Sequence, residues 1–124
     1  MAVGDSALTN NTTAFSNTAI GNNKLYFNTT GQNNTAIGDS ALTSNTTAYG
    51  NTAIGFMSLY NNTTGENNTA IGNNTATGIT TGSANTIIGA NVTGLASNIS
   101  NNIIIADGSG NRRINVTATG YVGI

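Results

Sequence analysis

One apolar residue recurs every seventeen positions along this 124-residue chain, at Val3, Ile20, Ile37, Ile54, Ile71, Ile88, Ile105 and Val122, without a slip of register. A fixed period of this kind makes each repeat one structural unit stacked on its neighbours, and the chain a solenoid or an array. Other residues keep the same period. An Asn stands three places earlier at Asn17, Asn34, Asn51, Asn68, Asn85 and Asn102, and a Gly follows at Gly4, Gly21, Gly38, Gly55, Gly72 and Gly89. Leu8, Leu25, Leu42 and Leu59 form a second apolar ladder. A longer period overlies the first: GDSALTNNTTA from Gly4 returns as GDSALTSNTTA from Gly38, so the unit is two turns, or 34 residues.

A 34-residue period is also that of a tetratricopeptide helix pair. Helix is excluded because the repeat is built from Asn, Thr and Gly, which disfavour helix interiors, and its apolar residues lack helical spacing. A short strand, N-T-A-I, followed by a Gly free to take the positive φ of a tight corner fits instead. Stacked turns of this kind form an all-β, parallel β-solenoid (a β-roll or β-helix) of about seven turns, roughly 34 Å long at the inter-strand rise. Residues 1–89 hold the regular repeats and residues 90–124 a degenerate end. There Ile103, Ile104 and Ile105 predict a strand, Asp107 to Asn111 a Gly-rich turn, and Ile114, Val116 and Ala118 a returning strand, a hairpin expected to close the core.

Within each strand Ala19 and Ile20 are neighbours and point to opposite faces, yet both are apolar. Both faces are therefore expected to be buried, one inside the coil and one against other chains, and a homotrimer is the expected assembly. Asn and Thr at fixed positions stack on their own copies and hydrogen-bond along the axis. Phe15 and Tyr49 share one column and Tyr26 and Tyr60 another; the expected role is packing between turns or chains, with exposed glycan-stacking platforms as the alternative.

The charges are few: Lys24, Arg112 and Arg113 against Asp5, Asp39, Glu66 and Asp107. No basic patch exists for a phosphate backbone, so nucleic acid is not an expected partner. With no His and no Cys, the usual general base, thiol nucleophile and zinc ligands are missing, and neither an enzyme nor a cofactor or metal is expected. Asp5 and Asp39 share a column two turns, about 9.6 Å, apart. That is near the carboxylate separation of inverting glycosidases, but Asn22 and Asn73 fill the same column, which reads as a solvated corner. Asp107-Gly-Ser-Gly-Asn111 echoes a calcium loop without its closing acid, and Arg112 and Arg113 read as edge-strand charges. No run approaches the roughly 20 apolar residues of a membrane span, so membrane insertion is not expected, and no Sec-type signal is visible. Met1 falls at a Thr position of the repeat, inside a turn, as expected of a piece of a longer fibre.

The tandem NTAIG…L…NTTG repeats followed by IIIADGSGNRRINVTATGYVGI resemble the shafts of bacteriophage tail fibres and related receptor-binding proteins. That resemblance implies a trimeric, extracellular or virion-borne attachment fibre, whose tail often leads into a self-cleaving trimerisation chaperone, and partners such as a host cell-surface glycan or protein. The repeats are also similar to the heads of trimeric autotransporter (YadA-like) adhesins, which implies a β-roll with three chains side by side; the turn here is longer. A structural filament without a receptor is a further alternative. An ice-binding solenoid is disfavoured because Thr12 and Thr13, like Thr29 and Thr30, Thr46 and Thr47, and Thr63 and Thr64, are adjacent and so expected on opposite faces, leaving no T-x-T pair.

Overall fold

The structure, a computed structural model, describes residues 1–123. Nine short strands follow one another in a single sheet: β1 (Ala2–Val3), β2 (Thr18–Ile20), β3 (Thr35–Ile37), β4 (Thr52–Ile54), β5 (Thr69–Ile71), β6 (Thr86–Ile88), β7 (Ile103–Ala106), β8 (Arg112–Val116) and β9 (Val122–Gly123). From β1 to β7 every pair is parallel and in the register of the repeat, with Ala19 beside Ala36 and Ile20 beside Ile37. The chain is thus a parallel β-solenoid. It makes about six turns rather than the seven expected, because the last repeat does not coil: β8 turns back antiparallel to β7, and β9 antiparallel to β8. Six rises give a rod of roughly 29 Å.

Each strand presents Thr and Ile outward and Ala inward, the alternation a pleated strand imposes. Ala19, Ala36, Ala53 and Ala70 are fully buried and meet Leu25, Leu42 and Leu59 across the coil. The two core columns then exchange bulk. The leucine column becomes Ala76 while the alanine column becomes Ile87 and Ile104, so the interior stays filled where the Leu ladder ends.

Strict alternation stops at the corners. Gly21, Asn23 and Leu25 all take positive φ (119, 57 and 46°), a pattern repeated in the following turns, and the left-handed Leu lets two neighbours, Lys24 and Leu25, both point inward. Glycine is required at the first of these corners twice over. Gly55 has φ 128°, and a Cβ there would sit 2.4 Å from the carbonyl oxygen of Gly72 in the next turn.

The other half of the interior is polar. Asn34 and Asn51 are fully buried, and each donates its side-chain amide across the coil to the carbonyl of Ala48 or Gly65 (2.8 Å each). Each side-chain oxygen accepts the backbone N–H of the Asn one turn on: Asn34 from Asn51 and Asn51 from Asn68 (2.9 Å each). A second buried amide column, Asn28, Asn45 and Asn62, donates to Gly31, Ala48 and Gly65, and links along the axis from Asn28 to Asn11, Asn45 to Asn28 and Asn62 to Asn45. Ile79 takes the next place, and the buried Oδ1 of Asn62 is left without a donor. Apart from that one oxygen, these ladders pair the described amides in the polar half of a coil too thin to be filled by apolar side chains alone.

Candidate binding faces

Three surfaces hold the residues that the sequence singles out. The first is the outer face of the sheet. Ile20, Ile37, Ile54, Ile71, Ile88 and Ile105 stand in one column on the outside of the coil, not in its core. Of the two strand faces expected to be buried, the single chain buries only the inner one: Ile88 is 40% exposed, Ile71 and Ile105 nearly as much, and Val3 more. The physical reason is the pleat, which gives the interior to Ala. Beside the isoleucines stands the outward column Thr18, Thr35, Thr52, Thr69 and Thr86. β8 prolongs this face, because Ile114 pairs with Ile105 and Val116 with Ile103. Ala118 lies beyond β8 and is exposed, so the returning strand is shorter than its alternation implies.

The second surface lies across the left-handed corner at Asn33, in the segments Thr13-Ala14-Phe15, Thr30-Gly31-Gln32, Thr47-Ala48-Tyr49 and Thr64-Gly65-Glu66. In the middle turns the central Gly or Ala is buried and the flanking residues face out, so Thr and Phe/Gln/Tyr/Glu form two parallel outer columns. Phe15 is 60% and Tyr49 46% exposed. The Glu66 carboxylate beside the Tyr49 hydroxyl raises the phenol above its ordinary pKa, by hydrogen bonding first and charge second. The paired threonines also correct an expectation. Thr29 and Thr30, and likewise Thr46 and Thr47, are not on opposite faces: they lie between inward Asn28 and Gly31, or Asn45 and Ala48, and neither is buried. The first of each pair is tied down, since the hydroxyls of Thr29, Thr46 and Thr63 donate to the backbone carbonyl of the same column one turn on (3.0–3.2 Å). The T-x-aromatic spacing is visible in the sequence; only the two-column arrangement was missed there, because a corner reverses the inward and outward sense.

The third surface carries the charges. Lys24 is fully buried, with its ammonium donating to Asp39 Oδ1 at 2.8 Å and to the carbonyl of Asn22. Asp39 Oδ1 also accepts the Asn22 N–H, while Asn22 Oδ1 accepts the Asp5 N–H. The Asp5–Asp39 column is thereby a chain of polar corner contacts in which Asp39 is already neutralised by Lys24. Tyr26 packs edge-on against Phe27, with centroids 4.8 Å apart. In the hairpin turn Asp107 accepts from the backbone of Ser109 and Asn111, from the Asn111 amide and from Arg113. Chiefly through Asn111 and Ser109, its carboxyl is held at about 2. These bonds spend the carboxylate on closing the turn, and Arg113 on Asp107.

Among the described residues no enclosed pocket and no cluster of metal-ligating side chains is present, and no helix is long and apolar enough to cross a membrane. Comparison with protein-family models, with characterised proteins and with solved structures returned no match.

Proposed function

We propose that this chain is a shaft segment of a homotrimeric extracellular attachment fibre of the phage tail-fibre kind, working mechanically and without catalysis. The observation that carries the reading is the Val3-to-Ile105 column: a straight apolar stripe repeated at every turn and left partly open to water on one flat face. A soluble chain rarely leaves so long an apolar line uncovered, and covering it with identical stripes in the same register is the simplest closed solution. Three copies around one axis would each bury this face and leave the aromatic and charged corners outside. The antiparallel β8 and β9 then serve to blunt the last parallel edge. Inside, the amide ladders and the closely stacked glycines stiffen a rod that holds a binding tip away from a particle or cell surface. A bacterial trimeric adhesin head or a plain extracellular filament would use the same rod.

The mass of the purified chain in solution tests this reading. Light scattering is expected to give three times 12.5 kDa, and Ile54→Lys with Ile71→Lys to reduce the mass to one chain. A wild-type monomer would defeat it.

One observation favours a second reading. With Thr18, Thr35, Thr52, Thr69 and Thr86 outward beside the isoleucines, the flat face carries a regular T-x-I array, the kind of surface expected of an ice-binding solenoid. A monomer showing thermal hysteresis, lost in Thr52→Lys, would establish that reading in place of the fibre.

A further inference from the structure

The aromatic column is used by neither the interior nor the outer sheet face. Phe15, Gln32, Tyr49 and Glu66 occupy one position in four successive turns. Their backbones are locked in register by Asn33 N–H to Phe15 O, Gly50 N–H to Gln32 O, Asn67 N–H to Tyr49 O and Ala84 N–H to Glu66 O (2.9–3.3 Å). The two rings therefore project from points two rises, about 9.6 Å, apart on a rigid backbone. Between them lies an amide, beyond them a carboxylate, and beside all four the hydroxyls of Thr13, Thr30, Thr47 and Thr64. Large rings left this open are poorly explained as packing, since neither is buried by its own chain.

We propose that this strip binds a neutral, extended β-1,4-linked glycan lying along the solenoid axis. In such a chain alternate sugars are turned over, so the same face recurs every second residue, over a distance close to two rises of the solenoid. Phe15 and Tyr49 then stack on sugars n and n+2, as flat apolar faces suited to the C–H face of a pyranose. Gln32 meets the intervening sugar with one donor and one acceptor group, and Glu66 and the threonines accept or donate at the rim. Charge selects a neutral ligand: the strip carries a carboxylate and no cation, and the nearest lysine in the fold, Lys24, is buried and paired with Asp39. An α-1,4-linked chain coils and cannot follow a straight ladder. The proposal deepens the attachment reading by naming a ligand class, but the strip is complete on one chain and does not require the trimer.

The test is affinity electrophoresis of the whole chain through gels containing hydroxyethylcellulose or, as the α-linked control, soluble starch. Retardation is expected in the first gel only. Phe15→Ala and Tyr49→Ala are each expected to weaken it at least tenfold, while Tyr49→Phe retains it. Moving the second ring, by Tyr49→Ala together with Gln32→Tyr, sets the rings one rise apart and is expected to abolish it. Circular dichroism melts of the same variants check that these exposed substitutions leave the fold intact. No retardation of the wild type, equal retardation in starch, or retardation unchanged in the Phe15→Ala/Tyr49→Ala double variant overturns the proposal. Light scattering on the same samples keeps the two readings apart: a trimer that is not retarded removes the glycan strip and leaves the fibre, and a retarded monomer does the reverse.

Discussion

Replacing Asn51 by Ala asks whether the buried amide ladder holds the coil together. Asn51 is fully buried near the middle of the rod, and its side chain makes two bonds: it accepts from Asn68 N–H at 2.9 Å and donates to Gly65 O at 2.8 Å. The losses are unequal. Gly65 O keeps a second donor in the Asn62 amide at 2.9 Å, and Asn34 Oδ1 keeps the residue-51 backbone N–H, but the Asn68 N–H has no other partner in reach. Orphaning that donor costs about 1–3 kcal/mol and losing the Gly65 bond about 1 kcal/mol, so roughly 2–4 kcal/mol in all. Because each turn of a solenoid contacts only its neighbours, the loss is expected to be local. Amide hydrogen exchange followed by mass spectrometry should show the segment around Asn68 exchanging about 30- to 1,000-fold faster, with the Ile20 segment little changed. A change of less than about twofold at Asn68, or an equal change along the whole rod, would refute the ladder's role. Asn51→Asp sharpens the test, because it keeps the acceptor for Asn68 but sets an oxygen against Gly65 O. Burial disfavours the ionised form, so the folded-state pKa of the new carboxyl lies above its unfolded value. The folded state then holds the extra proton, and this variant should lose stability as pH rises above about 4 and regain it below.

Four further outcomes follow from particular residues. Gly55→Ala combines a φ of 128° with a 2.4 Å contact to Gly72 O and is expected to prevent folding of the central turns or to cost several kcal/mol, whereas Gly94→Ala, with open space at its Cβ and φ 66°, should cost about 1 kcal/mol; thermal melts compare them. Leu42→Ala empties a fully buried site and should cost about 2–5 kcal/mol in urea unfolding. Lys24→Met is expected to be neutral or stabilising, since Ala41 and Ser58 fill the same inward column without charge, while Asp39→Ala, which strands the buried ammonium, should be the more destabilising of the two. Asp107 has its carboxyl lowered from 3.8 to about 2 in the folded hairpin, so its contribution is complete above pH 4 and is lost as pH falls toward 2; the Ser109 and Asn111 amide resonances should show the turn loosening over that window, and in Asp107→Asn the pH dependence should vanish.

Periodicity alone determined the parallel solenoid, the seventeen-residue rung, the need for glycine after the Ile of the regular repeats and the stacking of Asn on Asn. A strict repeat leaves a stacked chain no other register, and each of those residues acts through backbone conformation or through its own copy one turn away. The tertiary structure decided which way each column faces. Alternation along a strand assigns Ala19 and Ile20 to opposite sides, but nothing in the repeat says which side is the interior; the volume inside a narrow coil, already crossed by Leu25 and Asn17, admits Ala and turns Ile out. At the corners the period of two fails altogether. The positive φ of Leu25 turns two neighbours inward, and the bend after Asn28 turns Thr29 and Thr30 both outward, so the expected separation of the threonines was wrong and the Thr–aromatic strip beside Phe15 and Tyr49 went unread. The reversal at the Gly-rich turn of Asp107 to Asn111 was legible in the sequence, but the spacing that persists to Val122 counted the reversed last repeat as a turn, and the coil makes about six turns rather than seven.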